Sequence, residues 1–132
     1  MGEIAGSVEG AGGSINAFTS FDVTCYHATL PAEALLTGLD VLADAVQHST
    51  FDAGEVEREI EVVLEEIRRS ADDPHHVLGD ALFATAYRVH PYRFPVLGSA
   101  ESVASFTREK LLAFYRRWYT PENMAVVAAG DL

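Results

Sequence analysis

The chain has 132 residues, the length of one ordinary domain, and with 48% apolar and 22% charged side chains it is neither a disordered tail nor a mini-protein needing staples. Twenty acidic residues against nine basic ones give a net charge of −11, a field that repels phosphate and argues against nucleic-acid binding or docking on an anionic membrane. The one cysteine, Cys25, leaves no disulfide framework or Cys-based zinc finger, and no apolar run approaches the ~20 residues of a membrane span.

Residues 3–8 suit a short helix that breaks at Gly10-Ala11-Gly12-Gly13. Residues 14–19 and 23–30 are β-branched and aromatic and read as two strands, with Ser20-Phe21-Asp22 short enough for a hairpin. Pro31 sits where a first helical turn tolerates it, and Leu35, Leu36, Leu39, Leu42, Ala43 and Val46 follow at helical spacing, closing at 48–50.

Phe51-Asp52 opens the most regular segment, a helix to about Ser70 with Val56, Ile60, Val63, Leu64 and Ile67 on one apolar stripe. Asp72-Asp73-Pro74 starts another helix carrying Val77, Leu78, Ala81, Leu82 and Ala84. Residues 89–98 hold two prolines and a glycine and read as a loop. Thr107 is placed to cap a helix reaching Tyr119, with Lys110 three residues on; 120–123 form a turn, and 124–129 read as a buried strand ending at Gly130-Asp131.

Strand, strand, four or five helices, strand is the order of an α+β fold, with helices on one face of a largely antiparallel sheet. Three strands under four helices leave an edge unpaired, which suits a fragment of a domain better than a whole one. That edge is expected to drive self-association.

The glycines of Gly10-x-Gly12-Gly13 are followed by a strand, whereas a dinucleotide loop is preceded by a strand and followed by a helix, so they read as a turn. His75 and His76 are adjacent and point in different directions on a helix; His27 and His90 stand alone, and nothing places a histidine near a nucleophile. Within residues 55–67, Glu57, Glu61 and Glu65 face away from the stripe. Glu59 and Glu66 stand two turns apart on one flank, against Val62 and Val63, and two carboxylates at a core boundary are costly unless a cation meets them. Spacing alone leaves two readings open: a solvated flank, the commoner case, and metal ligation, since a carboxylate oxygen is an ordinary zinc ligand.

Gly12-Gly13-Ser14-Ile15-Asn16-Ala17-Phe18-Thr19-Ser20 resembles the glycine-glycine-x-x-asparagine-alanine-x-threonine segment of the pitrilysin/insulinase family of zinc metallopeptidases. Residues 57–67 resemble that family's helix bearing a glutamate zinc ligand. His90-Pro91-Tyr92, Pro95-x-x-Gly98, Tyr119-x-Pro121-x-Asn123-Met124 and Ala129-Gly130-Asp131 are similar to its later landmarks, in the same order along nearly the whole chain.

The resemblance implies a metalloprotease-like fold, with residues 1–132 forming part of the amino-terminal, catalytic-type domain and no second domain present. It implies that Glu66 is a zinc ligand, that Glu59 supports catalysis from beside the site, and that Asn16, Ala17 and Phe18 form an edge strand on which an extended peptide lies. The family's His-x-x-Glu-His motif, source of two ligands and the general base, is not in this sequence, so the chain is expected to begin just after it. Zn²⁺ is then expected in a longer parent zinc endopeptidase, with the isolated chain inactive and not binding the metal alone. Its expected partners are extended peptides and the remainder of the parent. The alternative is a non-catalytic structural or binding subunit of a protease complex. One cysteine and no visible leader lean towards a soluble protein of the cytoplasm.

Overall fold

The computed structural model describes residues 2–131, with side chains from residue 5 onward. Contacts divide the chain into two compact units, one drawn from both ends (up to Thr50 and from Tyr115), the other from Phe51–Phe114.

The first unit holds α1 (Gly2–Gly10), the hairpin β1 (Ser14–Thr19) and β2 (Thr24–Thr29), and α2 (Leu35–Gln47). α1 packs on β1 and α2 and contributes Val8, whose side chain is fully buried. The helix ends where the glycines were expected to break it: Gly12 takes a left-handed φ of 78°, and the Gly13 N–H turns back to the Val8 carbonyl at 2.9 Å. β1 and β2 pair antiparallel from Ser14↔Thr29 to Thr19↔Thr24, and Phe21-Asp22 makes the two-residue reversal. α2 lies along β2, and its buried Gly38 comes so close to Leu30 that a Cβ there would meet the leucine Cδ1 at 2.5 Å.

Two tyrosines from the chain's later part tie into this unit. The Tyr115 hydroxyl donates to the Val46 carbonyl at 2.8 Å, and the hydroxyls of Tyr26 and Tyr119 lie 2.7 Å apart. Burial, then the bond to Tyr119, raises the Tyr26 phenol above its ordinary range, so it stays a neutral structural group.

The expected third strand does not form. Residues 124–129 belong to no strand, and Val126 and Val127 are 84% and 87% exposed. An apolar run is buried in a sheet only where another strand accepts its hydrogen bonds, and among the described residues the sheet is β1 and β2 alone. The fold is thus helices with one antiparallel two-stranded sheet.

The second unit holds α3 (Ala53–Asp72), α4 (Pro74–Ala86) and α5 (Ala100–Ala104); α6 (Arg108–Trp118) starts here and runs across the boundary at Tyr115. α3 starts at Asp52, whose Oδ1 accepts from the N–H groups of Gly54 (3.0 Å) and Glu55 (3.2 Å). Phe51 before it adopts a left-handed φ of 49°, and its carbonyl accepts from Arg108 Nε at 2.6 Å. Replacing Asp52 by alanine orphans two helix donors and is expected to cost about 1 kcal/mol, with Asp52→Ser close to neutral, as chemical denaturation would report.

α3 packs on α4 and on α5, and the two buried valines of this unit, Val56 and Val103, belong to α3 and α5. α5 is an element the periodicity did not reveal; Ser99 caps it, its Oγ accepting from the Ser102 N–H at 3.1 Å. Thr107 caps α6 as expected, accepting from the Lys110 N–H at 3.3 Å. Within 89–98 the chain makes a 3-10 turn at Pro91–Arg93, where Tyr87, His90 and Tyr92 pack ring to ring.

Asp73 both ends α3 and caps α4, accepting from the His75 N–H at 2.9 Å and lying 3.2 Å from His76 Nδ1. The His75 N–H first, then the His76 side chain, hold its carboxyl below the ordinary range. A lowered native pKa stabilises the fold above the unfolded value, and that contribution disappears as pH falls through the lowered one. The stability difference between wild type and Asp73→Ala is therefore expected to narrow as pH falls through and below the ordinary carboxylate range, measurable by thermal melts at successively lower pH.

Candidate metal centre and substrate edge

α3 places Glu59 and Glu66 on one flank, as their spacing requires, but their surroundings differ from expectation. Both are exposed, and so is Val62 between them at 55%. The flank is not a core boundary because α3 buries Val56 alone, with Ile60, Val63, Leu64 and Ile67 only half-buried. Neither carboxylate therefore carries a burial penalty that demands a cation.

Their charges are nevertheless open. Glu55 is paired with Arg58, and Glu65 with Arg68 at 2.8 Å; among the described residues Glu59 and Glu66, like Glu57 and Glu61, take part in no ion pair. A seven-residue step is a rise of about 10 Å, and the shared tilt of Cα–Cβ bonds carries both side chains the same way along the helix. One ion is reached comfortably by one of the two. Of the chain's own residues, one of Glu59 and Glu66 could thus offer a carboxylate to a metal, with the other left to act on groups a turn or two away.

Among the described residues no group of three or more His, Cys, Asp or Glu side chains comes together as a metal set. His76 is engaged with Asp73, and His90 Nδ1 accepts from the Tyr92 N–H at 3.3 Å, a satisfied structural role. His27 lies with its ring 6.3 Å from that of Phe18.

Asn16, Ala17 and Phe18 lie consecutively and exposed on β1. The reversal fixes the phase of the ladder: the Ser20 N–H donates to the Val23 carbonyl at 2.8 Å, so Phe18 and Asn16 also turn their main-chain groups towards β2. The groups of Ala17 then point outwards, to an edge that no strand occupies among the described residues. One bond here was invisible to sequence reasoning: the Ala17 N–H donates to Asn16 Oδ1 at 2.8 Å. An asparagine on an edge strand is the available signal, since its short amide can reach neighbouring backbone. Glu59 and Glu66 belong to the second unit and Asn16–Ala17–Phe18 to the first.

Comparisons with known proteins point the same way. The family model described as insulinase (peptidase family M16) matches residues 2–100, and that of the peptidase M16 inactive domain matches residues 105–132. An uncharacterized zinc protease of Mycobacterium tuberculosis is 43% identical over 130 residues, covering 98% of this chain and 30% of that protein. A probable mitochondrial-processing peptidase subunit beta of Arabidopsis thaliana is 37% identical over 123 residues, covering 93% and 23%. The crystal structure of a protease from Helicobacter pylori superposes with a TM-score of 0.88 at 31% identity, covering 92% of this chain and 30% of that one. The chain thus spans about 30% of the length of the curated relatives it matches. Among the described residues no helix is long and apolar enough to cross a membrane.

Proposed function

This chain belongs to the insulinase family of peptidases, peptidase family M16, and from that premise we propose that it forms part of a longer zinc-dependent endopeptidase acting on extended, unfolded peptides. The observation that carries the reading is the match of residues 2–100 to the insulinase peptidase model, beside which α3 leaves the carboxylate of Glu66 exposed and, among the described residues, in no ion pair. Residues 1–132 are read as part of its catalytic-type domain, and relatives named zinc proteases support Zn²⁺ as the metal.

Glu66 would help to hold the ion and offset part of its charge. Zinc, when bound, would supply Lewis acidity that polarises a carbonyl and acidifies water towards neutral pH. Glu59 acts from the adjoining turns, orienting or tuning the groups around the ligand. β1 seats the substrate: backbone pairing along Asn16, Ala17 and Phe18 is indifferent to side-chain identity, so it selects chains able to become a strand.

The test uses the complete protein. It is expected to degrade a polypeptide while unfolded and to spare the same polypeptide folded, to lose that activity on zinc chelation, and to regain it with stoichiometric zinc. Activity unchanged after the metal is removed would overturn the zinc reading. A second reading, a non-catalytic subunit of a protease assembly, draws on a relative named as a processing-peptidase subunit and on the match to an inactive-domain model. It is favoured if the complete protein binds unfolded peptide and cleaves none.

A further inference from the structure

We propose that Asn16 is a removable guard on the open edge of β1, and that an extended strand docks there only after its side chain swings off the Ala17 amide. The inference rests on the reading of that edge as the substrate seat. The ladder phase set at Ser20 and Val23 turns the main-chain groups of Ile15, Ala17 and Thr19 away from β2. Those outward N–H groups are what an incoming substrate strand would use, and equally what a stray strand from another molecule would use.

Asn16 is placed to control the central one. It stands opposite His27 in a hydrogen-bonded pair, so its main chain is committed to β2 while its exposed side chain folds forward over the edge. There Oδ1 takes the Ala17 N–H at 2.8 Å. Such a local side-chain bond competes directly with ladder formation. Being solvent-exposed it is weak in net terms, enough to occupy the amide at rest and too little to resist a strand offering several main-chain bonds.

Amide exchange on the isotope-labelled chain tests the guard directly. The Ala17 amide is expected to exchange several-fold more slowly than the Ile15 and Thr19 amides of the same phase. Asn16→Ala should erase that difference and Asn16→Asp, which keeps the acceptor, should retain it, with the Phe18 amide unchanged throughout as proof that the hairpin is intact. A ten-residue peptide of alternating threonine and valine then serves as the docking probe. It is expected to bind Asn16→Ala about fivefold more tightly than wild type, the gain from no longer displacing one exposed hydrogen bond. Equal exchange at the three amides would overturn the guard, as would weaker peptide binding by Asn16→Ala, which would make Asn16 a direct contact. A peptide that perturbs no β1 amide in either form overturns the substrate seat and the docking step with it, while the exchange comparison still decides whether the amide is guarded.

Discussion

Glu66→Gln in the complete protein is expected to abolish both zinc retention and peptide hydrolysis, while Glu59→Gln is expected to keep the metal and lose roughly 10–100-fold in activity. The difference follows from position. Glutamine keeps the volume and nearly the helix propensity of glutamate, and both residues are exposed on α3, so neither change should move stability by more than about 0.5 kcal/mol. What glutamine loses is the negative charge. A ligand facing a divalent cation depends on that charge, whereas a group two turns away acts only through orientation and field. Metal content per chain after gel filtration, read beside activity, separates the two roles. A Glu66→Gln protein that keeps one zinc and full activity would remove Glu66 from the ligand set, and zinc loss in Glu59→Gln instead would exchange their assignments.

The legible parts of this molecule are those where local physics is decisive. α3 shows in the sequence because twenty residues repeat an apolar stripe and Asp52 stands where a cap belongs. The hairpin shows because two runs rich in β-branched and aromatic residues flank a short turn, and Gly12 and Gly13 mark the turn before them. α5 is hidden because five residues are too few for periodicity, leaving Ser99 as its only signal. Residues 124–129 mislead for a different reason: composition says that a run is fit to be buried, and only a partner strand decides whether it is.

The site divides in the same manner. The spacing of Glu59 and Glu66 puts them on one flank, but a stripe cannot tell how deeply a helix sinks, and both carboxylates are exposed. Which α3 glutamates are ion-paired rests on which arginines reach whom: Arg58 takes Glu55 and Arg68 takes Glu65, each three residues away, a choice among rotamers that spacing alone does not make. The Tyr26–Tyr119 bond spans 93 positions and has no local signature at all.

Gly13→Ala is expected to be the most damaging of the small substitutions in the glycine-rich turn and α2, costing about 1–3 kcal/mol. A Cβ on Gly13 would lie 2.5 Å from the Thr29 carbonyl oxygen and 2.8 Å from Leu30 Cγ. The first of these is backbone, paired across from Ser14, and it cannot retreat without opening the first rung of the β1–β2 ladder. Gly38→Ala meets Leu30 Cδ1 at the same 2.5 Å, yet that atom ends a flexible side chain, so a rotamer change relieves the clash at smaller cost. Gly79→Ala, in the middle of α4 with nothing within 4 Å, should instead stabilise by about 0.5–1 kcal/mol through helix propensity. Urea denaturation of the three variants therefore has a predicted order, Gly79→Ala above wild type, Gly38→Ala below it and Gly13→Ala lowest. Equal stability of Gly13→Ala and wild type would mean that the turn does not press on Thr29. The same variant bears on function, because the rung it opens, Ser14↔Thr29, is two residues from Asn16↔His27, and an edge whose register has slipped cannot present Ala17 outwards.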